Sequence, residues 1–208
     1  MRKIILLGII LTHSILQAQI HAITDTGDEV ILYEDGSWKY LKNETVEVKQ
    51  IPVNNKKYIK DKKATFLVKS KNLNIGIWIN PKSWSFQKGE EGEDAEFIFE
   101  KKGGDLYAML ISEKVTIPIE NLVDIAYENA KKVSPDIKIV KKEYRNVNGL
   151  QVLLMQMAGT IQGIKFTYYG YYYSNKNGTI QLLTYTGANL FNDYFNDIEL
   201  FLNGLVEL

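Results

Sequence analysis

The chain has 208 residues, of which 25 are basic and 25 are acidic, and it contains no cysteine. Balanced charge provides no field that would recruit nucleic acid or an anionic membrane, so we expect no nucleic-acid partner. The lack of cysteine excludes disulfides, thiol catalysis, thiolate metal sites and a lipid-modified cysteine, and the fold must rest on its own apolar core.

The first 18 residues are typical of a cleaved signal peptide. Arg2 and Lys3 precede an apolar run over residues 4–11, and small residues follow at Ala18 and Ala22. This run is too short to cross a membrane, which takes roughly 18 or more apolar residues, and no second such stretch follows. We therefore predict export to the periplasm or the medium, with cleavage after Ala18 or, alternatively, Ala22, and no membrane span in the mature chain.

Residues 19–41 are predicted to form one β-hairpin. Two short β-type runs, 30–33 and 38–41, are separated by a segment in which Asp35-Gly36 supplies a tight turn. An isolated hairpin is marginally stable in water, so we expect this one to pack on the main domain or on a partner. Residues 42–63 carry seven lysines against three acids and are predicted to be a solvated basic linker.

Residues 64–208 are predicted to be one domain. Apolar periodicity and turn dipeptides such as Asn148-Gly149 and Asn177-Gly178 delimit its strands. The predicted strands are Thr65–Lys69, Asn74–Asn80, Ala95–Lys101, Leu106–Lys114, Ile137–Arg145, Leu150–Ala158, Ile161–Tyr173 and Thr179–Thr186.

Two amphipathic helices accompany these strands. The second runs from Phe191 to Leu205 with a continuous apolar stripe, and Gly204 lies near its end. The first follows Pro118 and has apolar residues on one face at Ile119, Leu122, Val123, Ala126, Ala130 and Val133.

The predicted fold class is α+β. The run 150–157 is apolar at odd and even positions, which indicates a central strand covered on both faces. A mostly antiparallel sheet of about seven strands, sandwiched by the two helices and preceded by the small hairpin, satisfies both observations.

The order of elements resembles that of a known fold family. It comprises strands around Trp84, Phe97 and Tyr107, a helix, the hairpin Val147-Asn148-Gly149, the run Tyr171-Tyr172-Tyr173-Ser174 into Gly178-Thr179-Ile180-Gln181, and a closing helix ending Phe201-Leu202-Asn203-Gly204-Leu205. Over about residues 64 to 208 this order resembles the PsbP-like fold, which the Ran-binding Mog proteins and the DcrB envelope proteins share.

The resemblance implies an accessory, binding or assembly protein of the cell envelope rather than an enzyme. The lipid-bearing cysteine of DcrB-type proteins is absent from this sequence. The metal-binding histidines of some photosynthetic members are also lacking, so no photosystem role is implied. Because a fold does not fix a function, the residues themselves have to carry any more specific assignment.

The sequence contains no assembled catalytic motif. Its only histidines are His13, in the leader, and His21, beside the cleavage site, which argues against a histidine triad or an imidazole zinc site. Ser85 and Lys88 match the Ser-x-x-Lys pattern of penicillin-binding enzymes, but no Lys-Thr-Gly or Ser-Asp-Asn partner accompanies them. We therefore predict no catalytic residues, no metal ligands and no cofactor.

Three groups of residues are candidates for a surface that contacts an envelope protein or a small ligand. The first is an acidic loop, for which a purely solvated role is favoured over weak calcium binding or partner contact. The second is an aromatic hairpin, which resembles those of cell-wall binding modules but occurs only once. The third is one face of a tyrosine-rich strand, for which core packing is favoured over a ligand groove. The acidic loop contains Glu90, Glu91, Glu93 and Asp94. The hairpin contains Trp38 and Tyr40, and the strand face contains Tyr169, Tyr171 and Tyr173.

Two other functions are compatible with the sequence. A carboxylate-based hydrolase of envelope glycans would need two of Glu96, Glu100 and Glu113 about 5 to 10 Å apart in a cleft, one of them with a raised pKa. A small-molecule or lipid carrier would need an apolar pocket beneath one helix.

Overall fold

The computed structural model describes residues 20–23, 29–33, 35–40, 50–90, 92 and 94–208. They belong to two compact units, Met1–Gln50 and Ile51–Leu208. The predicted signal peptide, residue 41 of the predicted hairpin segment and residues 42–49 of the predicted linker lie outside the described residues.

The first unit contains a small antiparallel sheet of three strands, β1 (Ile20–Ile23), β2 (Glu29–Leu32) and β3 (Trp38–Tyr40). The predicted hairpin is confirmed, because β2 pairs with β3. In the turn, the backbone N–H and the hydroxyl of Ser37 both donate to the Asp35 carboxylate, and Gly36 has φ of 79°. Strand β1 adds an edge that the sequence analysis did not include.

The second unit contains two helices, α1 (Ile119–Val133) and α2 (Phe191–Leu202). Its strands, in chain order, are β4 (Val53–Tyr58), β5 (Phe66–Lys69), β6 (Ile75–Ile79), β7 (Trp84–Lys88), β8 (Ala95–Lys101), β9 (Leu106–Glu113), β10 (Lys138–Val147), β11 (Leu150–Ile161), β12 (Ile164–Asn175), β13 (Gly178–Gly187) and β14 (Leu205–Glu207).

The main sheet has eight strands in the order β4-β10-β11-β12-β13-β9-β8-β7. All neighbouring pairs in it are antiparallel except β4 and β10, which run parallel. A second sheet, β14-β6-β5, has three strands. Strand β11 lies near the middle of the main sheet and is buried on both faces, as its unbroken apolar run predicts.

One helix covers each face of the main sheet. Helix α1 packs with Leu153, Met155, Met157, Phe166, Tyr172 and Leu183. Helix α2 and the second sheet pack on the opposite face, where the larger part of the core lies. The predicted α+β sandwich is therefore confirmed.

Two strands of the second unit, β4 and β14, were not predicted. The structure places Val53–Tyr58, inside the predicted linker, at the edge of the main sheet as β4. Its sequence, VNNKKY, shows no apolar alternation, because a polar edge strand buries little apolar surface. Only Tyr58 of this strand is buried. Strand β14 was missed because it is only three residues long, whereas β7 matches the strand that the family resemblance implies around Trp84.

The last helix ends earlier than predicted. Helix α2 stops at Leu202, and Leu205, predicted to be its last apolar residue, is buried as part of β14 opposite Ile77. Gly204 permits this turn because a Cβ there would lie 2.1 Å from the carbonyl oxygen of Trp78. Neither of the two described helices is long and apolar enough to span a membrane.

Candidate functional site

The tyrosine face predicted as a possible surface lies in the core. Tyr169 and Tyr171 are 1% and 0% exposed under α2, and Tyr173 is partly buried against the same cluster. Tyr168 and Tyr172 lie on the α1 face, so the predicted alternation is confirmed. Burial excludes Tyr169 and Tyr171 from a contact surface, and core packing, the favoured interpretation, is correct.

The other predicted surface residues are placed only in part. Glu90 and Asp94 are exposed, whereas Glu91 and Glu93 lie outside the described residues. Trp38 is 53% exposed on β3. Tyr40 lies on the same strand, but its side chain is outside the described part of the structure. The hairpin and the acidic loop belong to different units, and we assign no joint surface to them.

A buried ionic network lies between the main sheet and α2. Its centre is Arg145 of β10, which is 3% exposed. Its guanidinium donates from Nε to Glu143 (2.6 Å), from Nη1 to Glu199 (2.7 Å) and from Nη2 to the Tyr169 hydroxyl (2.8 Å). A further bond runs from Nη1 to the hydroxyl of Tyr171 (3.1 Å).

Every charged group in this network has a partner. Tyr169 donates to Glu199 and Tyr171 donates to Asn203, while the Arg145 guanidinium lies 4.3 Å from the ring centre of Tyr58. Although burial opposes ionisation of Glu143, hydrogen bonds from Arg145, Asn54 and Lys141 outweigh it and lower its pKa. A general acid needs the opposite shift. The network therefore serves to attach α2 and β4 to the sheet.

The acids considered for a hydrolase do not assemble into a pair. Glu96 accepts hydrogen bonds from the hydroxyls of Ser70 and Ser112. Glu100 lies four residues further along β8, which separates the two Cα atoms by about 13 Å at the rise of a strand. Glu113 ends β9, six residues from the position that pairs with Glu100, and its side chain points to the face opposite that of Ser112, the residue that Glu96 contacts. This placement gives no support to a glycosidase, whose carboxyl groups lie about 5 to 10 Å apart.

A half-open cavity of about 690 Å³ lies beneath α1, against the face of the main sheet that this helix covers. Its volume is within the range of small-molecule sites, roughly 300 to 1,000 Å³. Its wall is mostly apolar and is formed by Met109, Ile111, Ile117, Leu122, Ile125, Ala126, Ala130, Val133, Met157, Ile161, Phe166, Tyr168, Tyr172 and Leu183, with Asp94, Glu113, Asn129 and Gln181 as its polar members.

The sequence of α1 explains why space remains there. Only Leu122 and Val123 of this helix are buried. The next positions of the same stripe are Ala126 and Ala130, whose single methyl groups cannot reach the sheet as a leucine would. Lining positions recur along α1 from Leu122 to Val133, so the small side chains of this stripe leave space along the helix.

Tyr172 supplies the one buried polar side-chain atom of this cavity wall that has no hydrogen-bond partner among the described residues. Its side chain is 0% exposed, and its hydroxyl has no hydrogen-bond partner among the described residues. Burial and the neighbouring Tyr168 raise its pKa, so the phenol stays neutral and keeps a proton to donate. Buried polar groups are normally paired, and an exception calls for an explanation.

Two adjacent tyrosines offer a matched test of this assignment. Tyr171→Phe removes a hydroxyl that bonds both Arg145 and Asn203, so we expect it to lower the free energy of unfolding by about 1–3 kcal/mol. Tyr172→Phe removes an unpaired hydroxyl of the same size, and we expect a change within about 0.5 kcal/mol or a small gain. Urea unfolding of both variants measures the difference, and equal losses would contradict the assignment.

Sequence reasoning missed Tyr172, Gln181 and Asn129 as members of a site. It placed Tyr172 correctly on the face opposite Tyr169, but treated that face as filled core. The sequence signal for the site was the pair Ala126 and Ala130. These small residues reduce the volume of the apolar stripe of α1 on the side that faces Tyr172.

No other cluster in the described residues suggests a metal or catalytic centre. In the part of the chain that the structure describes, no three acidic or histidine side chains lie close enough together to hold a metal ion. Ser85 and Lys88 lie three positions apart on β7, so their side chains point to opposite faces of the strand. The cavity beneath α1 is the candidate functional site.

No family model and no curated protein sequence matches this chain. Among solved structures, CyanoP, the PsbP protein of the cyanobacterium Synechocystis, aligns with a TM-score of 0.53 at 11% identity, over 69% of this chain and 92% of its own. The chain has the PsbP-like fold. The predicted resemblance is thereby confirmed at the level of architecture.

Two other solved structures are similar to this PsbP-like chain. They are a Pseudomonas aeruginosa protein of unknown function and LpqN of Mycobacterium tuberculosis, which is involved in cell envelope biogenesis. Their TM-scores are 0.44 and 0.47 at 14% and 10% identity; each match covers 68% of this chain, and 95% and 88% of theirs. At such identities the PsbP-like fold alone is established, and activity, ligand and partner have to be argued from the site.

Proposed function

We propose that this protein is exported through the signal peptide at residues 1–18 and acts in the cell envelope or the medium as a non-enzymatic binding protein. Its ligand is a small apolar molecule held in the cavity beneath α1. The observation that carries the proposal is the cavity of about 690 Å³ with its buried, unpartnered Tyr172 hydroxyl. Such a group is satisfied when a ligand brings it a partner.

The N-terminal sheet favours cleavage after Ala18. This position leaves all four residues of β1 in the mature chain, whereas cleavage after Ala22 removes three of them. The mature chain then has 190 residues and a formal charge of minus two, since Arg2 and Lys3 leave with the leader. Docking of an envelope protein on Trp38, Tyr40 or the acidic loop stays a prediction beside this proposal.

The proposal is tested by titrating the purified protein with N-phenyl-1-naphthylamine, an uncharged dye that fluoresces in apolar surroundings. We expect saturable binding of one dye per chain in the cavity beneath α1, which combines sufficient volume with a mostly apolar wall. The dye contains no group that a hydrolase would cleave, so the signal reports binding alone. A linear, unsaturable rise in fluorescence would contradict the proposal.

A further inference from the structure

The polar members of the cavity wall restrict the chemistry of the ligand. Two of them, Asp94 and Glu113, are carboxylates, and among the described residues of the wall none is a lysine, arginine or histidine. The nearest lysines along α1 have other partners, since Lys131 pairs with Glu128 and Lys132 donates to Asn129. An anionic headgroup would thus meet negative charge in this cavity and no cation to balance it.

The strand register locates these groups relative to one another. Tyr172 of β12 lies opposite Gln181 of β13, and Gln181 lies opposite Ile111 of β9, so the three form one row across the sheet. Glu113 is two residues beyond Ile111 on the same face. Strand spacing and rise place the Cα atoms of Tyr172 and Glu113 about 12 Å apart.

This arrangement separates a deep polar site from an acidic one. Tyr172 is fully buried, whereas Asp94 and Glu113 are exposed. The amide of Gln181, beside Tyr172, can donate and accept, and the neutral phenol has an unused proton to donate. Because the packed wall closes off this hydroxyl, a small side-chain displacement would admit a ligand oxygen that accepts the phenol hydrogen, while the apolar wall would cover the rest of the molecule.

We propose that the cavity selects a neutral apolar molecule carrying a hydroxyl or carbonyl oxygen, which binds at Tyr172 and Gln181, and that it rejects fatty-acid-type anions. This inference rests on the proposed function and names the ligand class of the same site. The carboxylates of Asp94 and Glu113 repel anions, and the Tyr172 hydroxyl donates a hydrogen bond to a neutral acceptor. The binding of neutral ligands and the rejection of anions thus depend on different residues, and substitutions can remove each effect separately.

The test is competition against N-phenyl-1-naphthylamine bound to the full chain, with 1-dodecanol and dodecanoate as competitors of equal chain length at pH 7.5. We expect 1-dodecanol to displace the dye at a concentration at least about tenfold lower than dodecanoate. Tyr172→Phe should weaken the binding of 1-dodecanol about five- to tenfold more than it weakens the binding of the dye, the effect of one buried hydrogen bond. The double variant Asp94→Asn, Glu113→Gln should strengthen the binding of dodecanoate and leave the binding of 1-dodecanol as it is.

The outcomes distinguish this inference from the proposed function. If the dye binds one per chain but dodecanoate displaces it as well as 1-dodecanol does, the neutral-ligand inference is overturned and the binding function stands. The same conclusion follows if Tyr172→Phe leaves 1-dodecanol unaffected. If the dye itself does not bind, the proposed function fails and the inference fails with it.

Discussion

Replacing Arg145 by methionine should lower the free energy of unfolding by about 3–5 kcal/mol. The guanidinium is 3% exposed and bonds Glu143, Glu199, Tyr169 and Tyr171, so its loss leaves two partly buried carboxylates without their counter-charge. For a domain of this length the corresponding fall in melting temperature is roughly 6 to 20 °C. Thermal unfolding followed by circular dichroism measures it.

Lys142→Met is the matched control, since it removes a cation from the same strand. Lys142 pairs with Asp124, whose side chain is 69% exposed, and such pairs contribute about 0–1 kcal/mol. A loss for Arg145→Met no larger than that for Lys142→Met would show that the network does not hold α2 and β4 on the sheet.

Replacing Ala126 by tryptophan should weaken dye binding at least tenfold, which corresponds to about 1.4 kcal/mol. Ala126 lines the cavity from the helix side, so an indole at this position occupies the volume that a ligand would fill. The fold should survive, because the new ring enters existing space rather than close-packed core. Fluorescence titration measures the affinity, and urea unfolding reports the stability of the same sample.

The control for this variant is Asn121→Trp, which adds the same ring to an exposed position of α1 outside the cavity wall. We expect its affinity for the dye to equal that of the wild-type protein. Ala130→Leu provides a smaller obstruction should the indole disturb folding. Unchanged binding in both cavity variants would place the dye elsewhere and would contradict the site beneath α1.

Local patterns predicted most of the fold correctly because those elements bury one regular face. Helix α1 begins and ends where its apolar period and Pro118 indicate. Asn148-Gly149 forms the expected turn, with both residues at positive φ. The tyrosines of β12 alternate between the two faces of the sheet, as the period of a strand requires.

The missed elements and sites depend on contacts between distant segments. Strand β4 has no apolar alternation and exists through its parallel pairing with β10, which lies about ninety positions later. In the sequence, Arg145 is not distinguishable from other charged residues of a strand. Its role depends on contact with Glu199, which lies 54 residues away along the chain. The cavity likewise arises because Ala126 and Ala130 leave volume unfilled between α1 and the sheet. This volume depends on how the helix and the sheet pack together.

Methyl NMR of the methionines tests the central claim, that the cavity beneath α1 is a ligand site, most directly. Met109 and Met157 line the cavity, whereas Met155 is buried in the same cluster but is not part of the wall. With methyl-labelled protein and 1-dodecanol, we predict that the Met109 and Met157 signals shift in a saturable manner and that Met155 changes little. Unchanged Met109 and Met157 signals at saturating ligand would contradict the account.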